Sequence, residues 1–269
     1  MIKLLKKKKT ILFICSLFIY FPIIAQTPIS INHTADFIDA DDFNNIYLVK
    51  NTEVLKYNQN GKLSCRYSNA LNGQINAIDV TNPLRIMLFY RESNALIFLN
   101  QQLAIINDVI FLSNFSNAEA SLACSSSEGG FWIFDELTLS LIYFDKNRTA
   151  IKQSVNLAGY LHQEEALQLS EQNQRLYLQT NTKVYIFDVY GNFLKSYHLG
   201  STFKIKTIDN NLCYYNNGEM KCFNALNFAD TVINANCKEP IKQLILNKKQ
   251  LIILTEKGVK VQSEAYPIE

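Results

Sequence analysis

The chain has 269 residues, of which 48% are hydrophobic and 19% are charged, and its formal net charge is +2. Five lysines lie among the first nine residues, so the remainder carries 21 basic residues against 24 acidic ones. A net charge of about −3 over that remainder leaves no basic field for nucleic acid or an anionic membrane. A chain of this length can bury roughly 70–75% of its unfolded surface in one core, so one domain suffices.

The N-terminal segment has the composition of a secretory signal. A basic stretch precedes the apolar run Ile11–Ala25, which ends on a small residue. A mostly apolar run of fifteen residues is short for a membrane span, which needs about 20. A retained anchor is the alternative, because Ile23 occupies the −3 position; Cys15 lies inside the apolar run and is not expected to be lipidated. We therefore predict a signal peptide at residues 1–25, no membrane span after cleavage, and a periplasmic or extracellular domain at 26–269.

A repeat of about forty residues runs through the rest of the chain. Its most regular apolar segments begin at Ile46, Ile86, Phe131, Leu176, Leu212 and Leu251. Each is preceded by one short apolar segment and followed by another, and most repeats contain a fourth. Four short strands per unit predict a β-propeller blade. Continuous apolar runs such as Ile46–Val49 are typical of strands that are buried on both faces.

Six repeats predict an all-β, six-bladed propeller of four-stranded antiparallel blades. The sixth repeat ends near Ser263 without a fourth strand, whereas Pro28–His33 is an extended segment that precedes the first repeat. We expect Pro28–His33 to pair with Val259–Ser263, because this pairing closes the last blade and covers an open edge. A seven-bladed ring and an open β-solenoid are the alternatives.

The segment Ile38–Lys62 resembles the blade consensus of NHL-type six-bladed propellers. In that consensus an apolar-Asp strand leads through Gly-Asn to Ile-Tyr-Val, then to a Val-x-x-Phe strand and a Gly turn. The matching residues here are Ile38-Asp39, Asn45–Val49, Val54–Tyr57 and Asn60-Gly61, with Asn44 in place of the consensus Gly. Leu176–Asn192 matches almost as well. The resemblance implies a fold and nothing catalytic, because this superfamily includes protein binders, RNA binders and lyases.

The densest acidic cluster contains Asp36, Asp39, Asp41 and Asp42. A calcium loop would need Gly at position 44 and Glu at position 50, where this chain has Asn and Lys. Asp and Asn also favour tight turns, because their side chains bond to nearby backbone. We therefore predict turns rather than a metal site.

The three histidines, His33, His162 and His198, show no metal-ligand spacing. His162 precedes Glu164 and Glu165 and could serve as an acid–base group, but a solvated loop is the expectation. No Gly-x-Ser-x-Gly, P-loop or Gly-x-Gly-x-x-Gly motif occurs. We predict no catalytic, cofactor-binding or metal-binding residues and no cofactor.

Five cysteines remain after residue 25, an odd number that leaves at least one thiol outside any internal bridge. Asn217-Gly218 is a strong type I′ turn signal. Counting outward from it pairs Cys213 with Cys222 at a non-hydrogen-bonded position, where Cα atoms lie about 4.5 Å apart. This distance permits a bridge, so we predict a possible cross-strand disulfide. Two buried thiols are the alternative.

Propellers gather loops from every blade around one channel, so a partner would bind across a rim. We expect an exported, non-enzymatic binding or assembly propeller of the bacterial cell envelope that engages a protein partner through rim loops. The alternative is a propeller lyase or hydrolase with carboxylates or a metal at the central channel. A third hypothesis is a purely structural module of an envelope complex. It differs from the binding propeller only in that its partner would stay bound permanently.

Overall fold

The computed structural model describes residues 29–200, 204–208, 211–216, 218–235, 237–247 and 250–262. The predicted signal peptide, Pro28, Asn217 and Ser263 lie outside the described residues. The strands are, in chain order, β1 (Ile29–Ile31), β2 (Phe37–Ala40), β3 (Ile46–Lys50), β4 (Glu53–Tyr57), β5 (Leu63–Ser68), β6 (Ala77–Asp79), β7 (Ile86–Tyr90), β8 (Ala95–Leu99), β9 (Ile110–Phe111), β10 (Ala120–Ser125), β11 (Phe131–Asp135), β12 (Ser140–Phe144), β13 (Ala150–Gln153), β14 (Gln168–Gln172), β15 (Arg175–Gln179), β16 (Val184–Asp188), β17 (Phe193–Tyr197), β18 (Lys206–Ile208), β19 (Asn211–Asn216), β20 (Glu219–Asn224), β21 (Asp230–Ile233), β22 (Ile241–Asn247), β23 (Gln250–Thr255) and β24 (Gly258–Gln262). A 3-10 turn at Leu112–Asn114 and a one-turn helix α1 at Ala158–Leu161 complete the described elements. None of the helices in these ranges is long and apolar enough to cross a membrane.

The strands form six antiparallel sheets of four strands each. Blades 1 to 5 are β2–β5, β6–β9, β10–β13, β14–β17 and β18–β21, and blade 6 contains β22–β24 together with β1. We name the strands of each blade A to D from the ring axis outward. The A strands of several neighbouring blades contact one another, among them those of blades 3 and 4 and of blades 6 and 1. The predicted fold class, a six-bladed β-propeller, is confirmed. In blade 6 the D strand is β1, which pairs with β24 so that Ile29 opposes Val261 and Ile31 opposes Val259.

The blades are held together by six apolar clusters, one at each interface between neighbouring blades. Every residue of β7, β8 and β11 is buried, as expected for strands that are covered on both faces. Between blades 2 and 3, Phe131 stacks on Phe144 with ring centroids 5.3 Å apart. Full burial of one such side chain contributes about 1.5–3 kcal/mol.

A recurrent turn joins strands C and D. In five blades an Asn or Asp side-chain oxygen accepts a hydrogen bond from the backbone N–H two residues later; these residues are Asn58, Asn100, Asp145, Asp188 and Asn224. Such side chains imitate a backbone turn and fix the loop locally. Because the strands are antiparallel, the A–B and C–D turns lie at one end of the ring, here called the AB rim. The B–C turns and the connections between blades form the opposite BC rim.

Candidate functional site

The central channel contains a cavity of about 290 Å³ near the starting ends of the A strands, on the BC-rim side. All six blades contribute to its lining. Its apolar wall includes Phe37, Ile78, Phe89, Leu122, Leu167 and Leu169, and its polar side includes Asp39, Asp79, Lys204 and Lys206. The channel is therefore an apolar chamber with charged groups at one side, and it is not apolar throughout.

Asp39 lies at the centre of a buried ion cluster. Its Oδ2 atom is 2.6 Å from Nζ of Lys204, and its Oδ1 atom is 2.9 Å from Nζ of Lys206. Lys206 also donates to the backbone oxygen of Ala40 at 3.1 Å. The lysines stand two positions apart at the start of blade 5, so strand alternation directs both side chains to the same face. The cluster thus joins blade 1 to blade 5 across the channel.

The electrostatics of this cluster favour the ionised forms of Asp39 and Lys204. Burial alone would raise the pKa of Asp39, but Lys204 and Lys206 outweigh it and lower the pKa to about 2. Burial likewise opposes protonation of Lys204, yet Asp39 raises the pKa of that lysine above its ordinary value. Opposite charges at hydrogen-bond distance favour the charged form of each partner.

Two other buried carboxylates near the channel bond to backbone and side-chain donors of the protein. Asp79 accepts hydrogen bonds from the N–H groups of Thr81 and Ser125 at 2.9 and 2.8 Å. Glu171 accepts from the N–H and hydroxyl of Ser127 and from Nε1 of Trp132. The bonds to Ser125, Ser127 and Trp132 cross between blades, so these carboxylates fasten neighbouring blades together.

The acidic cluster of the sequence separates into two roles. Asp36 accepts from the N–H of Asn51 at 2.7 Å, and Asp41 accepts from the N–H groups of Phe43 and Asn45, so the turn prediction is right for both. Asp42 is exposed. The turn prediction is wrong for Asp39, because strand A places its side chain in the channel.

The repeat itself contained a signal for this position. Asp39 and Asp79 follow Ile38 and Ile78 forty residues apart, and they occupy equivalent register positions opposite Tyr47 and Met87. Aligning blades 1 and 2 would have placed both carboxylates on A strands. The lysine partners carry no such signal, since they come from a different blade.

The histidines do not line the channel cavity. His33, His162 and His198 are exposed. Glu164 accepts hydrogen bonds from the hydroxyls of Thr180 and Thr182. Among the residues that the structure describes, no group of three His, Cys, Asp or Glu side chains could hold a metal ion.

The cysteines of blade 5 face each other across the B–C hairpin of that blade, between β19 and β20. The register pairs Tyr215 with Met220 and Cys213 with Cys222, as the turn signal predicts. The structure joins the two sulfur atoms in a disulfide, with the Cα atoms 4.1 Å apart. Cys65, Cys124 and Cys237 are free thiols.

The AB rim carries the exposed aromatic side chains of the described part of the chain, which are Phe43, Tyr190 and Phe228. Phe43 and Leu84 occupy equivalent A–B turns of blades 1 and 2 and are 67% and 63% exposed. Each follows an Asx turn, in which Asp41 or Asn82 accepts the N–H of the presented residue. This surface was not predicted from the sequence, because nothing in the sequence distinguishes Phe43 and Leu84 from ordinary loop residues.

No protein-family model matches the chain, and no curated protein is similar to it in sequence. Solved structures are similar in fold. The Neurospora crassa Pan2 WD40 domain has a TM-score of 0.60 at 10% identity, covering 88% of this chain and 90% of that one. Virginiamycin B lyase from Staphylococcus aureus has a TM-score of 0.57 at 7% identity, with coverages of 87% and 97%.

A third similar structure is YCF48 bound to a D1 peptide. Its TM-score is 0.58 at 12% identity, and the match covers 90% of this chain and 96% of that one. Identities this low carry information about fold alone. The comparisons and the six sheets together confirm a fold-level resemblance to β-propellers, the six-bladed class that includes the NHL-type proteins.

Proposed function

We propose that this protein is a non-enzymatic binding or assembly propeller of the bacterial cell envelope, which engages a protein partner through the loops of the AB rim. The export part of the proposal rests on the basic and apolar composition of residues 1–25. The binding part rests on the geometry of the rim.

The observation that carries the proposal is the set of apolar side chains held outward on the AB rim. Phe43 and Leu84 flank the channel mouth on adjacent blades, and Tyr190 and Phe228 stand on the C–D turns of blades 4 and 5. Aromatic residues are enriched in the buried cores of protein interfaces and among their hot spots. The Asx turns fix the backbone beneath Phe43 and Leu84, which reduces the entropy that binding would cost.

YCF48, a propeller of similar length, is bound to a peptide, so a propeller of this size can bind a protein segment. This precedent supports a protein partner for the present chain. The precedent does not indicate which rim would bind the partner. The AB rim is proposed because it carries the exposed aromatic side chains.

A propeller lyase or hydrolase is the alternative. The fold of virginiamycin B lyase is similar, so this class of enzyme is compatible with the fold. The charged cluster of the channel supports binding over acid–base chemistry. A general acid or base works best with a pKa near the working pH, whereas the pKa of Asp39 is lowered to about 2 and that of Lys204 is raised.

A pull-down from envelope extract tests the proposal. The domain Gln26–Glu269 would be immobilised and exposed to a detergent extract of the envelope of the encoding bacterium. We expect one protein in stoichiometric amount on the wild-type column, and its loss with Phe43→Asp combined with Leu84→Asp. Leu137→Asp is the matched control, because Leu137 is 63% exposed but lies on the BC rim. An empty wild-type column, with folded protein, would refute the proposal.

A further inference from the structure

The channel cavity has a feature that partner binding at the AB rim does not use. Its charged side contains hydrogen-bond donors for which the described residues supply no acceptor. An ammonium group offers three N–H donors. Lys204 has one hydrogen-bond partner among the described residues, Oδ2 of Asp39, and Lys206 has two, Oδ1 of Asp39 and the oxygen of Ala40.

Most of the side-chain acceptors described around the cavity are, by contrast, already engaged, although Oε1 of Gln168 has no partner. Both oxygens of Asp39 bond to lysine, and both oxygens of Asp79 bond to backbone N–H groups. The amide of Gln243 is used in both directions, since it accepts from the N–H of Ile38 and donates to its carbonyl oxygen. A ligand entering here would therefore meet donors in excess of acceptors.

The two lysines supply the positive charge that an anionic group would meet. The lining also contains Asp39 and Asp79, so its formal charges balance when all four groups are ionised. The lysine side chains are only 24% and 14% exposed, so water screens their charge less than it would at the surface. A carboxylate bound to Lys204 would accept a hydrogen bond of the strong, charge-assisted kind.

The remaining wall of the cavity determines what kind of ligand body would fit. Phe37, Phe89, Leu122 and Leu169 present apolar surface opposite the lysines. A volume of about 290 Å³ is at the lower end of the range for small-molecule sites. We infer that the central channel is a binding site for a carboxylate carried on a compact apolar body, with Lys204 as its principal charged contact.

The carboxylate could belong to a free organic acid or to the C-terminus of a peptide. The cavity lies on the BC-rim side, near the exposed side chain of Leu167. Its occupancy is thus independent of the AB-rim surface, and the two proposals can fail separately.

The test is an NMR titration of the domain Gln26–Glu269 with hexanoate, hexanamide and hexylamine, which share a body and differ in the head group. We expect hexanoate to bind at least ~10-fold more tightly than the other two, because a charge-assisted hydrogen bond contributes that much. A parallel arm compares a five-residue peptide that ends in leucine with its C-terminal amide. A preference for acid over amide in either arm supports the site and identifies the source of the carboxylate.

Two variants keep the test decisive. Lys204→Met should weaken binding of the acid at least ~10-fold and remove the preference over the amide, whereas Lys62→Met, at an exposed position, should change neither. Asp39 keeps Lys206 in the first variant, which protects the fold. Leu167→Trp leaves both lysines in place and should block entry. Equal affinity for acid and amide in both arms, or unchanged acid binding in Lys204→Met, would overturn the inference.

Discussion

Nζ of Lys204 lies 2.6 Å from Oδ2 of Asp39, although the two residues are 165 positions apart and belong to blades 5 and 1. Blade 6 stands between these blades in the ring. Gln243 of blade 6 also bonds to Ile38, the neighbour of Asp39. The pair therefore spans the place where the ring closes, and its contribution to stability should be measurable.

Replacing Asp39 with Asn should destabilise the protein by about 3 kcal/mol. The substitution leaves Lys204 and Lys206 close together without their counter-charge, and removing one partner of a buried ion pair costs about 3–5 kcal/mol. The lower end applies, because the lysines are partly exposed. Urea unfolding followed by the fluorescence of Trp132, the sole and buried tryptophan, measures the change. Asp145→Asn is the control, since Asn can form the same exposed Asx turn; equal stability of the two variants would contradict the prediction.

The stability contributed by Asp39 should disappear in acid. Its pKa is about 2 in the folded protein and 3.8 ordinarily, so the folded state favours the ionised carboxyl. Such a group adds stability above its unfolded pKa and loses it as the pH falls through the folded pKa. The difference between wild type and Asp39→Asn should therefore narrow by roughly 2 kcal/mol between pH 5 and pH 2 or below. Urea midpoints at several pH values test this, and a pH-independent difference would show the carboxyl to be unperturbed.

We expect the purified domain to carry the Cys213–Cys222 disulfide. Alkylation in denaturant should then modify three cysteines, namely Cys65, Cys124 and Cys237, and prior reduction should raise the number to five. A bridge that spans nine positions restricts a short loop of the unfolded chain, which corresponds to about 2–3 kcal/mol in the chain-entropy account. Replacing both cysteines with Ala should lower stability by that amount. Five modified cysteines without reductant would rule out the disulfide.

Closure of blade 6 depends on a glycine. Gly258 has φ +139°, and a Cβ atom there would overlap the carbonyl oxygen of Ile31 in β1. Gly258→Ala should therefore push β1 from β24 and destabilise the protein by more than ~1 kcal/mol. Gly159→Ala is the matched control in α1, where the added methyl meets no atom within 4 Å and Ala favours the helix. Thermal unfolding of the two variants compares them directly, and similar midpoints would show that closure tolerates the side chain.

The blade pattern could be predicted from the sequence because it depends on local periodicity. Strands such as β7 and β11 are apolar at every position, and burial on both faces requires this. The bounds of the outer strands could not be predicted as well. In blade 2 the fourth strand is only Ile110–Phe111, with a single isolated bridge between Leu99 and Ile105. A loop that covers an edge through few backbone bonds leaves no periodic signal.

The channel cluster could not be predicted in the same way. Asp39 resembles its acidic neighbours in the sequence, and only the closed ring brings Lys204 and Lys206 to it. The Asn44 position shows the opposite case: the chain departs from the consensus Gly, yet Asn44 adopts φ +61°, a conformation that Asn tolerates better than most residues. Local backbone requirements are visible in a sequence, whereas contacts across a ring are not.

The central claim is a protein partner at the AB rim, and site-specific photocrosslinking in living cells tests it most directly. A photoreactive phenylalanine analogue would replace Phe43 on the AB rim or, as the control, Leu137 on the BC rim. The account predicts one discrete crosslinked protein from position 43, in the envelope fraction, and none from position 137. A crosslink from position 137 alone, or none from either position in folded and exported protein, would contradict it.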